Sequence, residues 1–155
     1  MENSALIDPE IFGCRPVDQK DFTAIERLVG CPLPANIRSF LEHASGGTPA
    51  KAEFRYGKTG DGASLVQYFY AVTGKARDAD LLVNVLSVLK DRIPQTTLPL
   101  AEDPGGNVVL IYLEGNRQGE VWYWDHDQEG QQSDLDANLH FISKSLQAFL
   151  ASLSE

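Results

Sequence analysis

Three short apolar runs near the end of the chain constrain it more than any other feature: "TTLPLAED", "NVVLIYLE" and "GEVWYWDHD". Pro104-Gly105-Gly106 separates the first two, and Gly115-Asn116-Arg117-Gln118-Gly119 separates the last two. Connections this short join antiparallel neighbours, because a parallel crossover needs about a dozen residues or more. The predicted unit is therefore an antiparallel meander covering at least Leu98 to Asp125. Val108 to Leu113 is apolar without a break, as a central strand covered on both faces would be.

Helical periods surround the meander. Asp18 can cap a first helix whose face carries Phe22, Ile25 and Val29, with Val17 placed to staple against Phe22 and Gly30 supplying the left-handed stop. Cys31-Pro32-Leu33-Pro34 forces a turn, and Pro34 suits the first turn of a second helix bearing Ile37, Phe40, Leu41 and Ala44. That helix stops at Ser45-Gly46-Gly47. The sequence predicts a loop over Thr48 to Gly62 with at most one short strand around Phe54, then a strand from Leu65 to Val72. A middle helix is expected from Asp80 to Arg92, with Leu82, Val85, Leu86, Leu89 and Ile93 in period and Pro94 as its stop. Asp127 to Asn138 reads as a polar loop, followed by a closing helix with Ile142, Leu146, Phe149, Leu150 and Leu153 on one face. The fold class is α+β, with two N-terminal helices, a middle helix and a C-terminal helix packed against the antiparallel sheet.

With 155 residues and no linker-like tract, the chain has the size of a single domain, in which residues 1–16 form an N-terminal extension. No run reaches the ~20 apolar residues of a membrane span, and Met1 to Leu6 lacks the pattern of a secretory signal. Cys14 and Cys31 belong to no CxxC pair and are too few for a disulfide framework, which points to reduced thiols in the cytoplasm. A net charge of −9 would repel a phosphate backbone, so nucleic acid is not an expected partner. The simpler reading is that such acidity serves solubility, and the alternative is that it steers the chain toward a basic partner.

The sequence offers few candidates for chemistry. Gly57-Lys58-Thr59 resembles the end of a phosphate loop, but Ala52 stands where the first glycine belongs and no apolar strand leads in. Neither GxSxG nor GxGxxG is present. Asp125-His126-Asp127 has metal-ligand residue types, yet strand alternation would send His126 to the opposite face from the carboxylates; no metal and no cofactor are expected. Glu102, Asp103 and Asp125 could form an acid/base set at adjacent strand ends. A solvated strand-end cluster is the simpler reading. At least one of Trp122 and Trp124 should belong to the core.

The stretch "IERLVGCPLPANIRSFLEHASGGTP" resembles the opening of the SUKH superfamily, the Smi/Knr-type domain. Its elements are Leu33-Pro34, Phe40-Leu41 and Ser45-Gly46-Gly47, in that order. The resemblance resumes at Leu98-Pro99-Leu100, at Asp103 with Gly106-Asn107, and through Gly119-Glu120-Val121 and Tyr123-Trp124-Asp125-His126. It ends at Ser145-x-x-x-Phe149-Leu150. Ser45 stands where asparagine is common, and Lys58 to Ala63 is an insertion. The resemblance implies an interaction domain and no catalytic activity: bacterial members are similar to immunity proteins that neutralise a toxin, and fungal members look like regulators of cell-wall synthesis. A protein partner is expected, in particular a basic toxin domain. The expected contact surface comprises Gly46, Gly47, Asp103, Gly106, Asn107, Trp124, Asp125 and His126. The alternative is a small hydrolase or ligand-binding enzyme working at the strand-end carboxylates, for which a deep pocket beside a carboxyl of raised pKa would be the mark.

Overall fold

The computed structural model describes residues 16–73, 82–128 and 135–155, together with the backbone of Leu6–Ile7. Its centre is a five-stranded antiparallel sheet in the order β5-β6-β7-β8-β9, built from Tyr68–Phe69, Thr97–Glu102, Val108–Tyr112, Val121–Trp124 and Leu139–Ser143. The predicted meander is its middle three strands. Every residue of β7 is buried, as an unbroken apolar run in a central strand requires. Pro99 lies in β6 between two neighbours, and the register shifts between Pro99 and Ala101. A bulge is where an interior strand can tolerate a residue with no N–H to donate.

Helix α1 runs over Gln19–Val29 and α2 over Ala35–Ala44. Asp18 accepts from the Asp21 backbone while Asp21 reaches back to the Asp18 N–H, a reciprocal capping box. Gly30 closes α1 at φ 85°, in the left-handed region that spares a side chain its Cβ clash. The described part of the middle helix, α3, is Leu82–Leu89, which packs against α1 and β6. The expected start at Asp80 lies outside the described residues. The expected end at Arg92 is corrected to Leu89, because the chain turns back with Asp91 at φ 63°. Helix α4 spans Leu146–Ser152 and is capped by Ser145.

Four other parts of the chain differ from expectation. Thr48–Pro49 forms β2, paired with β1 at Leu6–Ile7. The short strand allowed around Phe54 is β3 (Glu53–Tyr56), and it pairs in a hairpin with β4 (Gly62–Leu65), which begins where the loop was expected to end. Phe54 is buried on this hairpin and Tyr56 packs against the core, so alternation over only four residues carried the signal. The strand expected over Leu65 to Val72 is divided: β4 ends at Leu65, and only Tyr68–Phe69 pairs with the main sheet. Leu139–Ser143, whose Ile142 was read into the closing helix, is the edge strand β9, so Ile142 sits on a strand.

The strand β8 shows how the layers are arranged. Tyr123 faces the hairpin and α4: its ring stacks on Tyr56 at 4.2 Å, and Phe54 beside it meets Phe149 at 5.8 Å. Trp124 faces the other way, with Arg92 above it after the end of α3. The sheet is thus sandwiched, with α3 on one face and the hairpin with α4 on the other.

Candidate functional site

The turn between β6 and β7 is organised by one carboxylate. Asp103 is 3% exposed. Its Oδ1 accepts from the backbone N–H of Gly105 at 2.9 Å and of Asn107 at 2.8 Å. Its Oδ2 accepts from the hydroxyls of Tyr123 at 2.7 Å and Ser64 at 2.8 Å, and from Asn107 Nδ2 at 3.1 Å. Burial alone would push the carboxyl up; the hydrogen bonds from Tyr123, Asn107 and Ser64 outweigh it and hold Asp103 below its ordinary value. Burial first, and then the bond to Asp103, pushes the Tyr123 phenol well above its ordinary range.

Asn107 extends this network to the end of β8. Its Oδ1 accepts from the His126 backbone N–H at 3.0 Å and stands 2.6 Å from His126 Nδ1. An amide oxygen only accepts, so Nδ1 carries the proton, and Nε2 faces Asp127 Oδ1 at 3.2 Å. The alternation argument fails here. Regular strand geometry ends at Trp124, and His126–Gln128 forms a 3-10 turn. This turn brings ligand atoms of Asp125, His126 and Asp127 within 4.8 Å of one another, on one side of the strand end.

The structure therefore unites Asp103, Gly106, Asn107, Asp125 and His126, with Trp124 beneath them. Trp124 is 1% exposed and Asp103 is spent on its own turn, so neither offers much surface. Gly46 and Gly47 are buried, and the backbone that approaches them is their own: Gly46 donates to Tyr70 and Phe69 donates to Gly47. What remains exposed at this end is Pro104, Gly105, Gly106 and Asp127, with Asp125 and His126 half-buried. Glu102 is directed to different partners, accepting from the hydroxyls of Tyr68 and Tyr70. The strand-end carboxylates thus do not form one acid/base set.

Sequence reasoning missed Ser64, Tyr123 and Tyr68 as partners of these carboxylates. Strand alternation puts Tyr123 on the same face as Asp125, and that is the available signal. Ser64 comes from β4, between the expected loop and the expected strand, where no element was expected.

The model of the SMI1 / KNR4 family (SUKH-1) matches residues 16–152. The chain belongs to that family. Its match begins where the first helix is about to be capped and ends with α4, so it takes in the five-stranded sheet and the four described helices. Among curated proteins, the SPbeta prophage-derived uncharacterized protein YokK of Bacillus subtilis (strain 168) is 29% identical over 139 residues, 89% of this chain. The chain spans 66% of that relative's length. Within this SMI1 / KNR4 domain, no described helix is long and apolar enough to cross a membrane.

Proposed function

We propose that this domain is a non-catalytic binding module that acts as an immunity protein, capturing a basic toxin domain one to one. The observation that carries the reading is how the polar groups at the strand ends are used. Asp103 accepts five hydrogen bonds from its own chain, and its carboxyl is held below the ordinary range instead of being raised as a general acid's would be. Around that fixed frame lies a rim of exposed backbone and acidic side chains, Gly105, Gly106, Asp125 and Asp127, on a chain of net charge −9. Such a rim can meet a cationic surface and steer its approach. Membership of the SMI1 / KNR4 family supports the same reading.

The test is co-expression with the product of the adjacent gene. Protection of the cells, together with a one-to-one complex of purified proteins by calorimetry, is the expected result. Protection through turnover, with substoichiometric protein clearing the toxin, would overturn it.

A further inference from the structure

The 3-10 turn after β8 gathers Asp125, His126 and Asp127, whose ligand atoms lie within 4.8 Å of one another. Two carboxylates alone would be no more than a solvated acidic turn. The imidazole between them is different, because groups outside the cluster set its orientation. Asn107 Nδ2 donates to Asp103, which leaves Oδ1 as the atom facing His126. That oxygen accepts from the His126 backbone at 3.0 Å, and at 2.6 Å from Nδ1 it can again only accept. The proton is thereby held on Nδ1, and the lone pair of the neutral ring is on Nε2. Asp127 Oδ1 stands 3.2 Å from that nitrogen. Two acceptors that face each other repel unless a proton or a cation lies between them. A charged N–H donating to a carboxylate closes to ~2.7–2.9 Å. Two ligands ~2.1 Å from one metal ion, at angles between a right angle and the tetrahedral one, stand roughly 3.0–3.4 Å apart. The spacing at His126 fits the metal better than the proton.

We propose that Asp125, His126 and Asp127 bind a divalent first-row transition cation, with zinc as the best-fitting ion. The protein ligands are Nε2 of His126 and one carboxylate oxygen from each aspartate. Asp125 Oδ1 accepts from the Asp127 backbone, so Oδ2 is the oxygen left for the metal. The Asp127 side chain is 82% exposed and can rotate onto the ion. An imidazole nitrogen selects zinc over magnesium and calcium, which take oxygen ligands. A ligating histidine almost always donates its other ring N–H to an oxygen, and Asn107 Oδ1 receives it here. Three protein ligands leave a coordination position open to water or to a partner's side chain. The expectation of no metal rested on His126 facing away from the carboxylates, and the turn removes that ground. Cation binding is separate from capture of a protein partner, and each can fail without the other.

Calorimetric titration of the intact protein with zinc chloride, at about pH 7.5 where an ordinary imidazole is neutral, should show one saturable site per chain. Magnesium chloride over the same range should show none. The three histidines give separate ring signals in a long-range ¹H–¹⁵N spectrum. Zinc should shift Nε2 of His126 while its Nδ1 keeps the proton. Asp127→Asn and His126→Gln should each weaken zinc at least tenfold, no less than the loss of an outer partner costs a metal site. Zinc that shifts His43 or His140 in place of His126, or that binds both variants as tightly as the parent, is an adventitious ion only and overturns the site. Absence of a saturable site in the unmodified protein overturns it without reliance on any variant. Magnesium bound as tightly as zinc overturns the part given to the histidine.

Discussion

Tyr123 on β8 donates its hydroxyl proton to Asp103, just past the end of β6, across 2.7 Å. The turn between the first two strands of the meander is thereby tied to the third strand. Ser64 ties the same carboxylate to the β3–β4 hairpin on the outer layer. One buried anion thus joins three segments that are remote in sequence.

That arrangement sets an acid limit on stability. The folded pKa of Asp103 lies below its ordinary value, so the folded state binds the proton less readily than the unfolded chain does. Its contribution is fully present above the ordinary carboxylate range, near pH 4, and is lost as pH falls through the lower folded value. Asp103→Ala should cost roughly 2–4 kcal/mol at neutral pH, since it leaves buried donors unpaired. It should also flatten the acid limb of the stability profile. Urea midpoints measured from pH 7 down to pH 3 check both; an acid limb of unchanged slope would remove Asp103 from this role.

Gly62 should not tolerate alanine. A Cβ there would press on the Tyr56 ring, which is stacked on Tyr123 at 4.2 Å and 17°. Tyr56 must shift, and with it the ring that holds Asp103. Overpacking of this kind costs roughly 1–3 kcal/mol. If the stack carries the effect, Gly62→Ala and Tyr56→Leu will be non-additive in a double-mutant cycle, because they act on one contact.

The two tryptophans should separate in a denaturation series. Trp124→Ala empties a fully buried site and should cost ~3–5 kcal/mol. Trp122 is half-buried against Phe141 and Tyr112, with the Arg117 guanidinium 4.6 Å from its ring centroid. Its replacement by alanine should cost roughly half as much. Thermal midpoints of the two variants settle the order, and the reverse order would contradict the layer assignment of β8.

How far the fold could be read in advance depended on the length of each signal. The β6–β7–β8 meander was legible because its turns contain glycine and its central strand is unbroken from Val108 to Tyr112. Helices α1 and α2 were legible from Asp18, Gly30 and their apolar spacing. Of the hairpin only the strand around Phe54 was legible, since β4 is four residues long and alternates between half-buried and exposed side chains. Edge strand β9 was hidden for a related reason: only Leu139 in it is fully buried, so Phe141 and Ile142 blended into the helical period that follows. At the end of β8, the alternation argument reached only part of the way. Alternation holds as far as Trp124, and the 3-10 turn from His126 then rotates the histidine toward Asp127. Trp124 was taken for a surface anchor because sequence gives its face but not what covers that face.

The acidic rim offers the clearest functional variant. Asp127 has a side chain 82% exposed, and among the described residues its carboxylate faces His126 Nε2. Asp125 is less suitable, because its Oδ1 also accepts from the Asp127 backbone and so shapes the turn. Asp127→Lys should leave folding stability within about 0.5 kcal/mol of the parent, as a solvated surface change does. If a cationic partner approaches over this rim, the variant should associate several-fold more slowly at low salt while its dissociation rate stays close to the parent's. The gap should close as salt is raised, because exposed charges are screened beyond about 10 Å at 0.1 M ionic strength. Stopped-flow association at two ionic strengths measures both effects. A slower association that persists at high salt would place Asp127 in direct contact with the partner, and unchanged rates at both ionic strengths would put the binding face elsewhere on the domain.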